Sequence, residues 1–132
     1  MIARDTEKWL LHATVAIACL VPLWMGAESV IRGVTMLHGV TAPPPVDLDS
    51  HFRYLSGIFL VLGLAFAATV PGIEAKSARF RLLGAMVIGG GLARLVSLAQ
   101  WGPPGTGHLF GFAMELGVVP LLLLWQARVA WR

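Results

Sequence analysis

Four stretches of the chain run almost free of charge, residues 9–26, 54–73, 82–101 and 109–130, and polar residues gather between them. A helix rises ~1.5 Å per residue and the hydrocarbon of a bilayer is ~30 Å thick, so each crossing takes about 20 apolar residues. None of the stretches alternates with a period of two, which excludes a transmembrane barrel. Backbone groups in lipid must be satisfied within their own segment, so the stretches are helices. The pattern predicts an all-α polytopic membrane protein. It forms a single domain over residues 1–132, an antiparallel bundle of four transmembrane helices.

The first stretch has Arg4 and Lys8 ahead of an apolar run, as a secretory signal peptide does. It is longer than a signal core and continues through Pro22, Leu23, Trp24 and Met25 with no small-x-small cleavage site, so it reads as a retained helix. The connections differ. Residues 74–81 form a short charged turn, and 102–107 a tight Gly/Pro breaker. The first outer loop is long, about 27–53; residues 28–38 either continue the first helix or form a short interfacial one. Pro43, Pro44 and Pro45 force an extended backbone, and Asp49 or Ser50 is then expected to cap the second helix.

Composition narrows the class. Of 132 residues 57% are hydrophobic and 13% charged, about half the charge of a soluble domain. This excludes a soluble enzyme, a disordered tail and a nucleic-acid-binding domain. The net charge of +3 does not reopen the last, because the ten Lys and Arg form no basic patch. Cys19 is the single cysteine, so there is no disulfide framework and no CxxC motif.

Charge also sets an orientation. Arg4, Lys8, Lys76, Arg79, Arg81, Arg128 and Arg132 share the side of the termini, and only Arg32 and Arg53 lie on the other. Seven against two predicts both termini in the cytoplasm of an inner membrane, and argues against a dual-topology dimer. Trp9, Trp125 and Trp131 fall at one boundary, Trp24 and Trp101 at the other, where amphipathic rings prefer to lie.

Ionisable groups within a membrane are costly and point to function. Here they collect toward the outer leaflet: Glu28; His51, Arg53 and Tyr54; Arg94, Ser97 and Gln100; His108 and Glu115. The opposite half contributes only His12, Thr69 and Gln126, near its edge, with His12 read as interfacial one turn beyond Trp9. Arg94 lies seven residues before Trp101 and Glu115 seven after His108, so both sit about 10 Å below the outer boundary on neighbouring helices. An Arg–carboxylate pair of this kind can be bidentate. By itself it is equally a staple between two helices. Its polar company, His51, Arg53, Tyr54, Ser97, Gln100 and His108, favours a ligand-binding role.

Gly89, Gly90 and Gly91 allow close approach in the middle of the third helix. Pro120 disrupts the bond to the carbonyl of Leu116 beside Glu115, and Pro22 marks a kink in the first helix. His38, His51 and His108 with Glu28, Asp47 and Asp49 lack any metal-ligand spacing, so no metal site is expected. No nucleophile elbow, P-loop or dinucleotide fingerprint is present. An enzyme is therefore the least supported class, and no cofactor is called for.

The strings from His51 to Phe59, from Gly90 to Ser97, and Glu115-Leu116 followed by the run from Pro120 to Arg128 resemble the bacterial domain-of-unknown-function family 4345. The resemblance covers almost the whole chain. It implies a four-helix integral membrane protein in bacteria and brings no catalytic roles. The positions it implicates are His51, Arg53, Arg94, Ser97, Glu115 and Gln126.

Together these readings predict an outer-leaflet pocket for a membrane lipid, a quinone-like molecule or another amphipathic small molecule. Arg94 meets its anionic or carbonyl group, Glu115 orients Arg94, and His51, Tyr54 and Gln100 line the mouth. The alternative is an accessory or assembly subunit of a larger membrane protein complex. A third reading, a small proton-coupled transporter using Glu115, is weakened by the charge bias.

Overall fold

A computed structural model describes residues 3–132. The expected helices form, and all four begin before their predicted starts: α1 Arg4–Arg32, α2 Val46–Thr69, α3 Ser77–Trp101 and α4 Thr106–Trp131. α1 and α4 also run past their predicted ends, α3 stops at its predicted end, and α2 stops at Thr69, short of the expected residue 73. There is no strand among the described residues, and each helix is long and apolar enough to cross a membrane. The additions are polar ends. Charged and small polar residues continue a helix readily once its apolar middle has nucleated it.

The chain divides into two compact units, Ala13–Val70 and the remainder, Met1–His12 with Pro71–Arg132. In the first, α1 and α2 run antiparallel. Their backbones touch at Gly26, where a Cβ would stand 2.8 Å from the Cα of Leu60, and at Gly63, where it would stand 3.0 Å from Pro22. Small residues at the contact are the usual means of packing helices that gain nothing by hiding apolar surface from lipid. α1 continues through Pro22 without interruption and stops at Arg32, so residues 28–32 extend the first span. Gly33 then turns the chain with φ 74° into a 3-10 turn, Val34–Met36.

The expected cap of α2 is corrected. Pro45, not Asp49 or Ser50, precedes the first helical residue, and its ring already holds the φ of −55°. Asp49 is left free for a different contact. Its carboxylate accepts the backbone N–H of Val34 at 2.8 Å and the Nε of Arg53 at 2.8 Å. Arg53 in turn donates to the carbonyl of Val30 at 2.7 Å, closing the end of α1. A side chain at residue 33 would collide with Arg53 and Asp49, so this lock requires glycine as well as permitting it.

In the second unit α3 and α4 run antiparallel. Gly84 faces Leu123, and Gly91, two turns further along α3, faces Glu115 and Leu116 at 2.9 and 2.8 Å from its missing Cβ. Of the three consecutive glycines only Gly91 serves this approach; Gly89 and Gly90 face open space. Ahead of Pro120, α4 takes one π-helical turn, Met114–Val118, and Val119 donates to the carbonyl of Met114, five residues back. An inserted residue is a usual response to a proline, which supplies no N–H and crowds the preceding turn.

Candidate functional site

Glu115 sits on the π-helical turn and is buried, 8% exposed. Across from it Arg94 projects from α3, and its Nε lies 3.1 Å from each carboxylate oxygen. The ion pair expected at matched depth is present. It is not the two-pronged fork: Nε donates to Oε1, and Nη1 is engaged elsewhere, 3.1 Å from the Nδ1 of His108. A guanidinium only donates, so Nδ1 is the acceptor and the ring proton of His108 lies on Nε2. Arg94 thus bridges a carboxylate within the unit and an imidazole nearer the helix end.

The two partners of the ion pair differ in exposure. The side chain of Glu115 is 11% exposed and that of Arg94 is 41%. The third guanidinium nitrogen, Nη2, has no hydrogen-bond partner among the described residues. It lies 3.9 Å from where Gly111 would carry a Cβ, so α4 presents no side chain to it at that position. Arg94 and His108 border a narrow cleft with Leu98, Pro104, Leu109 and Phe112, with a cavity volume of about 10 Å³. This is room for one water, not for an enclosed ligand.

Of the other expected residues, Ser97 and Gln100 are exposed on α3 and make no side-chain hydrogen bond among the described residues. His51, Arg53 and Tyr54 belong to the other unit. There His51 and Tyr54 are exposed, and Arg53 is spent on Asp49 and the end of α1. Among the described residues no three His, Cys, Asp or Glu converge as metal ligands.

The opposite end of this unit holds what was not foreseen. Glu7 is buried, 6% exposed, and binds both the Nε of Arg128 at 3.0 Å and Nη1 of Arg132. Glu74, expected only to turn the chain, meets Lys8 at 3.4 Å and the Nε2 of His12 at 3.6 Å. Its carboxyl is held below the usual range, first by a hydrogen bond from its own backbone N–H and then by Lys8 and His12, against the opposing effect of burial. Gln126, expected at the membrane edge, is wholly buried. Its Nε2 donates to the carbonyl of Ile73 and to the Oγ of Ser77, both at 2.9 Å. An isolated amide after the run from Pro120 to Trp125 was the available signal. Its partners, on another segment, were not readable.

The chain is of the class with four helices long and apolar enough to cross a membrane, and it carries a carboxylate–guanidinium pair whose carboxylate is buried. Residues 10–126 match the family described as Domain of unknown function (DUF4345), and the chain belongs to that family. No curated protein and no solved structure matches it.

Proposed function

We propose that the α3–α4 unit binds, from within the bilayer, the polar head of a lipid, a quinone-like molecule or another amphipathic small molecule at Arg94. One observation carries this reading. A half-exposed guanidinium is held on two sides by Glu115 and His108, while Nη2 is unpartnered beside apolar walls. In hydrocarbon a bare N–H is costly, so an acceptor from the surrounding medium is favoured there. Leu98, Leu109 and Phe112 offer the accompanying chain an apolar surface. The charge asymmetry supports placing the termini in the cytoplasm and this site in the outer leaflet of an inner membrane. Native mass spectrometry in mild detergent tests the reading: wild type retains an adduct that Arg94→Ala loses. A wild-type protein bare in every lipid background overturns it.

The second reading, an accessory subunit of a larger membrane complex, has its own support. Ala85, Gly89, Ala93 and Ser97 form a stripe of small, exposed residues along α3, suited to a close-packed partner helix. Recovery of a defined complex from native membranes, lost in Gly89→Leu but kept in Arg94→Ala, would favour it.

A further inference from the structure

The donors of the cleft are fixed by the bonds already made. Arg94 spends Nε on Glu115 and one N–H of Nη1 on His108, leaving the second N–H of Nη1 and both of Nη2. His108 accepts at Nδ1 and therefore carries a proton at Nε2. Both residues border the cleft, and its other walls, Leu98, Pro104, Leu109 and Phe112, bring no polar side chain. The cleft presents donors to a ligand and no side-chain acceptor of its own.

The charges are fixed as well. The positive charge of Arg94 is matched by Glu115 at 3.1 Å, and the imidazole bonded through Nδ1 is neutral. No second cation lines the cleft. Sites for anionic headgroups assemble several basic side chains, because each added negative charge in a low-dielectric region needs a counter-charge. This cleft has one cation, already neutralised.

We infer that Arg94 and His108 recognise an uncharged carbonyl group on the membrane amphiphile, rather than a phosphate or a carboxylate. A carbonyl oxygen has two lone pairs, enough to accept from a guanidinium, and leaves the net charge of the site at zero. A quinone ring and a glycerol ester both present this group; Phe112 gives the ring a face to lie against. The inference rests on the proposed binding of an amphiphile at Arg94 and specifies the chemistry of its head.

The test uses the full chain in a maltoside detergent, which contains no carbonyl. Three probes are titrated and their affinities measured by native mass spectrometry: a decyl-substituted benzoquinone, a short-chain diacylglycerol and a short-chain dialkyl-ether phosphatidic acid, which carries a phosphate and no carbonyl. At least one uncharged probe is expected to bind about tenfold tighter than the phosphatidic acid. That preference should be lost in Arg94→Gln/Glu115→Gln, which removes both charges together and leaves neither one buried alone. His108→Ala should weaken the uncharged probe while leaving the helix pair folded. The quinone and diacylglycerol arms separate the two sources of the carbonyl. Tighter binding of phosphatidic acid, itself dependent on Arg94, would overturn the inference and leave the amphiphile reading standing. A preference for the uncharged probe that persists undiminished in the double variant would overturn the inference too. Binding of none by wild type would overturn both.

Discussion

The two ends of the α3–α4 unit use charge in opposite ways. At the end near the termini, Glu7 is enclosed and takes up two arginines, Glu74 gathers Lys8 and His12, and Gln126 fastens α4 to Ile73 and Ser77. At the other end, Glu115 is enclosed but its partner Arg94 is half in the open with a nitrogen to spare. The first arrangement joins segments far apart in sequence and serves to hold them. The second joins adjacent helices, which the short connection already brings together, and leaves donor capacity directed outward. A polar group enclosed by the fold is evidence about stability; one that is anchored yet exposed, with a donor to spare, is evidence about binding.

The largest effect expected from testing that contrast lies in the glycine between the two ends. Gly91→Leu forces a side chain against Glu115 and Leu116 and should cost about 2–3 kcal/mol, measured by reversible detergent unfolding. Gly90→Leu, one residue away and facing open space, should stay within about 0.5 kcal/mol. Equal losses at both positions would mean that α3 and α4 do not meet along this face. Next comes Glu7→Gln, which weakens the bonds to Arg128 and Arg132 and should cost about 1–2 kcal/mol, at the low end because Arg128 is well exposed. The double variant Arg94→Gln/Glu115→Gln should cost under about 1 kcal/mol in the same assay, since neither charge is left buried without its partner. A loss larger than that of Glu7→Gln would make the Arg94–Glu115 pair the staple and reverse the comparison.

The smallest effect is a pH dependence. The Glu74 carboxyl is held lower in the folded protein than in the unfolded chain, so its stabilising contribution is present above the unfolded value, about 4.3. It is lost as pH falls through the lower, folded value. Wild type should therefore lose stability below about pH 5 more steeply than Glu74→Gln, in unfolding curves recorded across that range. Parallel curves would show that Glu74 contributes nothing to the end near the termini.

Much of this molecule was legible because membranes impose so few solutions on a chain. Uncharged runs long enough to cross a bilayer must be helices, a short connection makes neighbours antiparallel, and equal distances from one turn bring Arg94 and Glu115 to the same depth. The arithmetic of rise per residue needed no tertiary information. Pairing that depends on rotation about a helix axis, or on segments distant in the chain, was another matter. Gly91 rather than Gly90 faces α4, Arg53 turns to the end of α1, and Glu7 reaches residues 128 and 132 because helix phase and packing put them there. Hydropathy measures depth along the membrane normal and carries no record of direction within its plane. Only the packed helices decide which polar groups are consumed by the fold and which are left with a donor to offer.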